Sequence, residues 1–404
     1  MNRLGWMDGL RGLAATQVVL GHFTGAFMPE IPMQRADLSH YQWEHVFINT
    51  PLFLPFYADP AVFLFFVMSG VVLTYSFNAR PFEIGFSVMR RIVRLGIPMA
   101  ASMLLAGGLL ATIPDFFVQA GERAGSAAWL AHVAPHHVSA WDLAHQILFE
   151  GLLAGYQLVS LLPVHVAAWL GLVAAKASYN GPTWTLHIEF IGSLLIIILV
   201  ALRAWTGPKI HLGITILAGL VFSAHPLSLF VLGHLAADWL RRPPERRQHR
   251  WGGCIMIGIG TIICTLPAVG PARLVRAFLP APPLGATAGA VDLTNMFAAV
   301  LIFFGIALVP AIQQWLQRPG LRWLGKISFA LYLSHFPVLI TVVCALFVLV
   351  SDFLSYGPAV ALTITVGLVI CFAVAALFEY AIDSPAVAWS RTFGRRQPTA
   401  TVAR

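Results

Sequence analysis

Apolar residues fill most of the chain in long windows that short polar segments separate. A helix that crosses a bilayer core of about 30 Å needs about 20 consecutive, mostly apolar residues. This pattern predicts an all-α polytopic membrane protein, a bundle of about ten transmembrane helices. The ten windows are 10–28, 54–77, 96–114, 184–203, 211–224, 226–240, 252–270, 291–315, 327–350 and 357–380.

The apolar region 141–176 is open to three interpretations. It can form two short spans, a re-entrant pair or an interfacial hairpin. The bundle then has ten to twelve crossings. Ten and twelve are both even, so both chain termini are expected on the same side of the membrane.

Composition supports a membrane protein. Hydrophobic residues make up 58% of the 404 residues, charged residues only 10%, and the mean hydropathy is +0.78. Soluble domains carry roughly 25% charged residues. The charges of this chain are too few to coat a water-facing globule of its size.

The net charge of +8 comes from short basic groups between the apolar windows. With ten spans all four groups fall on one side, which the positive-inside rule assigns to the cytoplasm. We therefore expect a multi-pass protein of the plasma (inner) membrane, with a membrane domain over 1–385 and a cytoplasmic tail over 386–404. No basic soluble domain is visible, so nucleic acid is not an expected partner. The basic segments are 80–94, 241–250, 317–326 and 391–396.

Metal-binding patterns do not stand out. The four cysteines lie in apolar segments without a Cys-x-x-Cys pair, so neither a zinc site nor a disulfide framework is expected. His132, His136 and His137 fall in a predicted outer loop, but they lack a His-Glu-x-x-His pattern. We expect exposed loop histidines and no metal.

Polar residues in the first window, Asp8, Arg11 and His22, suggest chemistry inside the membrane. Arg11 and His22 fall on nearly the same helix face, about 16 Å apart along the axis. Arg11 is either a snorkelling anchor or a functional cation. His22 either faces a polar cavity or bonds a neighbouring helix. Asp8, three residues before Arg11, is placed to pair with it.

Five motifs follow one another along the chain. In this order they resemble the motifs of the acyltransferase-3 family of integral membrane acyltransferases: an Arg and a His separated by ten residues, an FFxxSG segment, an Arg-rich loop that ends in proline, a W-S-L-x-x-E segment and an S-x-x-L-Y-L-x-H segment. Thr185 stands in place of the usual serine of the fourth motif. The motifs read "DGLRGLAATQVVLGHF" (8–23), "FFVMSGVVL" (65–73), "RRIVRLGIP" (90–98), "PTWTLHIEF" (182–190) and "ISFALYLSHFPV" (327–338).

The resemblance implies a stand-alone member of that family, without an appended hydrolase domain. Such a protein moves an acyl group, usually acetyl, from acyl-coenzyme A to an acceptor hydroxyl. The acceptor is commonly a sugar of an exported or lipid-linked glycan, so lipid and a glycan or another hydroxyl-bearing molecule are the expected partners.

Under this resemblance His22 is expected to be the general base, because imidazole titrates near working pH. Arg11 would orient the donor or neutralise charge along its path. Arg90, Arg91 and Arg94 would bind the phosphates of coenzyme A, the alternative being a simple positive-inside anchor.

The remaining candidates have weaker assignments. Glu189 would bind acceptor hydroxyls, orient His22 or pair with a cation. Ser69 either bonds the donor or, with Gly70, serves helix packing. Trp184, Tyr332 and His335 are expected as substrate-binding or accessory groups, as is Asp8.

Two alternatives stay open. A proton-coupled transporter or flippase would also bury His and Glu, although such proteins often contain inverted repeats and none is evident here. An enzyme of this kind can transfer the acyl group directly or through an acyl-histidine or acyl-serine.

Overall fold

The computed structural model describes residues 4–33, 36–48, 50–78, 83–157, 164–174, 177–241, 249–265 and 290–393. All but the last residue of the predicted loop 271–290, most of the basic segment 241–250 and the tail residues 394–404 lie outside the described residues. Among the described residues no strand is formed, and Gln157 and Ala174 make an isolated bridge. The predicted all-α class is confirmed for this part of the chain.

In the part of the chain that the structure describes, ten helices of 14 to 29 residues overlap the ten apolar windows. They are α1 (Gly5–Phe27), α2 (Asp59–Asn78), α3 (Ile84–Thr112), α4 (Trp184–Trp205), α5 (Pro208–Val221), α6 (Leu227–Leu240), α7 (Arg250–Thr265), α8 (Ala290–Leu308), α9 (Pro319–Val338) and α10 (Tyr356–Phe378).

Short helical elements connect them. The α-helical ones are Glu30–Met33, Gln42–Ile48, Phe116–Arg123, Ala127–Leu130, Ala140–His145, Val164–Trp169, Pro310–Leu316, Cys344–Val350 and Ser384–Ser390. The 3₁₀ elements are Ala36–Leu38, Pro51–Phe56 and Gly181–Thr183, and the π-helical ones are Gln146–Ala154, Leu339–Val343 and Glu379–Asp383.

Five helical stretches of the described chain are long and apolar enough to cross a membrane, or six if the helix pair bent by 96° at Val309 counts as one span. The five are Asp59–Asn78, Ile84–Thr112, Gly181–Trp205, Pro319–Val350 and Tyr356–Ser390. The helices α5, α6 and α7 have 14, 14 and 16 residues, short of the usual spanning length. Several apolar membrane helices are therefore shown, and the count of about ten crossings stays a prediction.

Two of the helices are extended by π-helical turns. Pro337 lies inside α9, and the π-helical turn Leu339–Val343 and the helix Cys344–Val350 follow it. Proline removes a backbone donor from the helical ladder, and such sites commonly show local rewinding. The helix α10 likewise continues through Glu379–Asp383 into Ser384–Ser390, across the predicted boundary at 385.

The region 141–176 forms no helix of spanning length in its described part. Ala140–His145 runs directly into the π-helical turn Gln146–Ala154, and Val164–Trp169 is a separate short helix. These elements are shorter than about 20 residues. They favour a re-entrant or interfacial arrangement over two further spans.

The helices α1 and α9 pack against each other with their backbones in contact. A Cβ atom at Gly12 would lie 2.6 Å from the backbone nitrogen of Gly325, and one at Gly325 would lie 2.1 Å from the carbonyl oxygen of Asp8. Small residues at such crossings let membrane helices approach closely. This contact sets the distance between the two helices along their length.

Replacing Gly325 by alanine should therefore weaken the protein. The added methyl group has no room against Asp8, so the two helices must separate, at a cost of about 1–3 kcal/mol. We expect a lower midpoint of thermal unfolding in detergent.

Gly320→Ala is the matched control, because it lies in the same helix and a Cβ atom there would meet nothing within 4 Å. Equal midpoints for the two variants would contradict the close contact of α1 and α9.

Candidate active site

A basic cavity of about 690 Å³ opens between α1, α9 and the continuation of α10. Part of its lining comes from the predicted basic segment 317–326. Lys326 is 3.3 Å from the carboxylate of Glu379, and the Lys326 side chain is 65% exposed. The lining also contains the carboxylates of Asp8, Glu379 and Asp383, so its four cations exceed its acidic groups by one. A mouth with a surplus of positive charge is suited to an anionic ligand. Its cationic residues are Arg11, Arg94, Arg322 and Lys326.

A central cavity of about 230 Å³ lies deeper in the bundle, between α1, α2, α3, α4 and α9. Arg11, Arg94 and Phe329 line both cavities, so the two adjoin at these residues. Most of the remaining wall is apolar and comes largely from α2. The other polar side chains in its wall are Ser69, Arg91, Thr185, Glu189, Ser328 and Tyr332.

Arg11 stands where the two cavities meet. It makes no hydrogen bond and no ion pair within 4.0 Å with any residue that the structure describes. The expected pairing with Asp8 is therefore wrong, although Asp8 lines the basic cavity beside it. Arg11 thus faces the cavities with its hydrogen-bond donors unused by these residues.

Arg91 and Glu189 form a salt bridge across α3 and α4. The Nη2 atom of Arg91 lies 2.7 Å from Oε1 of Glu189, and its Nε atom donates to Ser193 Oγ at 2.8 Å. Of the three roles considered for Glu189, the geometry supports pairing with a cation. No hydrogen bond joins Glu189 to His22 in the described structure. The opposite charges of Arg91 and Glu189 cancel, so this pair adds no net charge to the lining of the central cavity.

Arg94 and Arg90 make different contacts. Arg94 pairs with Asp383 of the π-helical turn after α10, and its guanidinium carbon lies 4.9 Å from the ring centre of Phe329. The Nε atom of Arg90 donates to the carbonyl oxygen of Phe393 at 2.9 Å, and Arg90 lines neither cavity. The predicted trio is therefore split, with Arg91 and Arg94 at the cavities and Arg90 bound to the C-terminal segment.

His22 and His335 lie side by side where α1 faces α9. The Nδ1 atom of His22 is 2.9 Å from Nε2 of His335, and Nδ1 of His335 is 2.9 Å from the carbonyl oxygen of Leu331. A carbonyl oxygen only accepts, so in the neutral pair His335 carries its proton on Nδ1 and offers its Nε2 lone pair. His22 must then donate from Nδ1, which leaves its own Nε2 unprotonated.

The Nε2 atom of His22 has no hydrogen-bond partner among the described residues. As a residue His22 is partly exposed. Phe336 packs edge-on against the ring at 5.1 Å between centres, and Trp129 lies parallel to it at 6.3 Å. An imidazole in this state can accept a proton on Nε2 while its Nδ1–H stays bonded to His335.

Tyr332 connects the central cavity with the two histidines. Its hydroxyl donates to the carbonyl oxygen of Pro182 at 2.8 Å and lies 2.8 Å from Thr185 Oγ1. Its ring centre is 6.2 Å from that of His335. Tyr332 lines the central cavity, whereas His22 and His335 line neither cavity.

Most of the candidates from the sequence meet around this space, and some do not. Ser69 faces the central cavity, whereas Gly70 provides the helix contact, since a Cβ atom there would lie 2.3 Å from the carbonyl oxygen of Phe230. Trp184 begins α4 and lines neither cavity.

Several residues of the site were missed by sequence reasoning. Asp383 lies at the end of the last apolar window, where an acidic residue could have been noticed as a partner for a buried arginine. Lys326 and Arg322 were counted only as topological charges, and Trp129 lies in a loop without a recognisable pattern. Only the three-dimensional arrangement brings them to the site.

In the described part of the chain, no group of three His, Cys, Asp or Glu side chains is arranged to hold a metal ion. His136 lies in the predicted outer segment between α3 and α4, 3.2 Å from Asp115, and both side chains are half exposed.

Comparison with known proteins identifies the family. The profile of the acyltransferase domain known as Acyl_transf_3 matches residues 4–378. A curated relative, the O-acetyltransferase PaAT-1 of Phomopsis amygdali, is 24% identical over 382 residues, covering 83% of this chain and 72% of the relative. No solved structure matches the chain.

The matched segment contains both helices of the His22–His335 pair and both cavities except for the end of the basic one. Several apolar helices long enough to cross a bilayer make the chain a multi-pass membrane protein. The chain belongs to the acyltransferase-3 family and is an acyltransferase.

Proposed function

We propose that the protein transfers an acyl group, with acetyl as the first candidate, from acyl-coenzyme A to a hydroxyl of a carbohydrate or glycan-type acceptor. The observation that carries this proposal is the His22–His335 hydrogen bond, which in the neutral pair leaves Nε2 of His22 without a proton. The relative that is named an O-acetyltransferase supports a hydroxyl acceptor and an acetyl group.

The donor enters from the basic cavity. The phosphates of coenzyme A carry several negative charges, which suit the cations Arg11, Arg322 and Lys326. Phe329 and the Arg94–Asp383 pair flank the way from this cavity into the central one. The apolar wall of the central cavity suits the pantetheine arm, which is uncharged.

The helix α1 runs unbroken from Gly5 to Phe27, so Arg11 and His22 are about 16 Å apart along its axis. A long, narrow donor can contact Arg11 while its thioester lies beyond Tyr332, near the two histidines. Arg11 has no partner among the described residues and is therefore available to bind the donor.

The reaction follows from the protonation state of the pair. The acceptor oxygen attacks the thioester carbonyl as His22 Nε2 takes the hydroxyl proton, and the C–S bond breaks as the tetrahedral intermediate collapses. His22 then returns the proton to the leaving sulfur, giving the ester and free coenzyme A. His335 accepts the Nδ1–H of His22 throughout and stabilises the imidazolium.

The proposal also includes the membrane in which the protein lies and its orientation there. The basic cavity opens at the side that the positive-inside rule assigns to the cytoplasm, where acyl-coenzyme A is made. The protein is accordingly placed in the plasma (inner) membrane with both termini cytoplasmic.

Replacing His22 by glutamine tests the base directly. Glutamine keeps a polar group near His335 but cannot take the hydroxyl proton, so we expect a 10²- to 10⁴-fold fall in kcat. The measurement is transfer of labelled acetyl from acetyl-coenzyme A to a hydroxyl acceptor by purified protein.

His187→Gln is the matched control, because His187 is another buried histidine of a membrane helix and lines neither cavity. Full turnover by the His22 variant would contradict the proposal. Movement of the acceptor across the membrane without acyl transfer would favour a transporter.

Replacing Arg322 and Lys326 together by alanine tests the donor entrance. Loss of two cations from the basic cavity should raise KM for acetyl-coenzyme A about tenfold, equivalent to about 1.4 kcal/mol, with kcat little changed. S-acetylpantetheine lacks the nucleotide, so its KM should be the same for both proteins.

Arg250→Ala is the control, since Arg250 is exposed and lies outside both cavities. An equal rise in KM for both donors would show that these residues do not bind the nucleotide end.

A further inference from the structure

Trp129 lies parallel to the ring of the catalytic candidate His22. The two ring planes differ by 2°, and their centres are 6.3 Å apart. Phe336 stands edge-on to both rings, 5.1 Å from His22 and 6.4 Å from Trp129. His22 is therefore flanked by a flat aromatic surface that comes from the outer segment of the chain.

This surface is fixed to the helix that carries His22. Ser126, at the start of the short helix Ala127–Leu130, donates its hydroxyl proton to the carbonyl oxygen of Ala26 at 2.6 Å. Leu130 is fully buried in the core. Because Ala26 lies one turn after His22, the anchor holds the Trp129 ring in a constant position relative to the imidazole.

The same segment has a second anchor. Arg123 donates to the carbonyl oxygen of Val348 at 2.8 Å and pairs with Asp352 at 2.6 Å. These contacts tie the segment to the end of the α9 extension, the helix that carries His335. The segment that carries Trp129 is thus attached to both halves of the histidine pair.

Trp129 packs against the hydrophobic core but is not fully buried in it. Its side chain is partly exposed, as is that of His22, whereas Trp6 in the same core is 1% exposed. His22 lines neither of the two cavities that carry the arginines. Trp129 lies beside His22 and, like His22, lines neither of these two cavities.

We propose that Trp129 is the stacking platform for a sugar ring of the acceptor. The C–H groups on one face of a pyranose are apolar and slightly positive, and they pack on the electron-rich face of an indole. The hydroxyls at the rim of the stacked ring then point sideways, where His22 Nε2 takes the proton of one of them. This inference rests on the proposed function and names the acceptor class and a positioning residue for it.

Steady-state kinetics with acetyl-coenzyme A test the platform. The acceptor probes are methyl β-D-glucopyranoside, which has a ring, and sorbitol, an acyclic polyol. Wild type should have the lower KM for the pyranoside. Trp129→Ala should raise that KM at least tenfold and leave the KM values for sorbitol and acetyl-coenzyme A unchanged, and Trp129→Phe should recover most of the loss.

Trp141→Ala is the matched control, because Trp141 is a 77% exposed tryptophan of the same outer segment. An unchanged pyranoside KM in the Trp129→Ala protein would overturn the proposal. An equal rise in KM for the pyranoside, sorbitol and acetyl-coenzyme A would also overturn it, since that is the result of a structural role.

A binding measurement separates this proposal from the proposed function. Saturation-transfer NMR should show contact of the pyranoside ring protons with wild type and Trp129→Phe, and not with Trp129→Ala. That result without any acyl transfer would support the platform and refute the proposed reaction. No pyranoside binding by wild type would refute the platform.

Discussion

The close contact between α1 and α9 is the constraint on which the site depends. Neither helix has room for a methyl group at Gly12 or Gly325, so the two backbones touch near one end of the bundle. From that contact the helices run side by side, and His22 and His335 come within hydrogen-bond distance, 2.9 Å. Without this contact, nothing would hold the two histidines, which are 313 residues apart in sequence, at hydrogen-bond distance.

Two of the three arginines that line the central cavity have carboxylate partners, and the third has none among the described residues. This difference distinguishes arginines that stabilise the fold from one that is available to a ligand. A buried cation without a partner is costly, and the pairs Arg91–Glu189 and Arg94–Asp383 avoid that cost. Arg11 has no such partner among the described residues, although it lines the same cavities as both pairs. A cation kept in this state is suited to an anionic ligand that is present only during turnover.

Much of the architecture followed from the sequence, because apolar windows and helices share one physical cause. All ten windows became helices of the described chain, since a backbone in a bilayer must satisfy its own hydrogen bonds. The number of crossings did not follow, because α1 is long enough but not apolar enough to count as a span, α5, α6 and α7 are short, and α8 is followed by a sharp bend at Val309. Length alone does not tell a span from a broken or tilted helix.

The sequence could predict the relative positions of site residues only where these residues lie on the same helix. The spacing of Arg11 and His22 on α1 is local, and the structure keeps it in an unbroken helix. The partners of these residues are not local. Asp8 was the obvious neighbour of Arg11 but makes no pair with it, whereas Asp383 pairs with Arg94 from the other end of the chain. Such contacts depend on helix packing and leave no periodic trace in the sequence.

The central claim is that His22 holds its proton on Nδ1 and leaves Nε2 free to act as a base. Solid-state ¹⁵N NMR of histidine-labelled protein in bilayers near neutral pH measures this directly, with the His22 signals assigned by their loss in the His22→Gln variant. The account predicts a protonated Nδ1 that is coupled to His335 and an unprotonated Nε2. A proton on Nε2 of resting His22, or no coupling to His335, would contradict it.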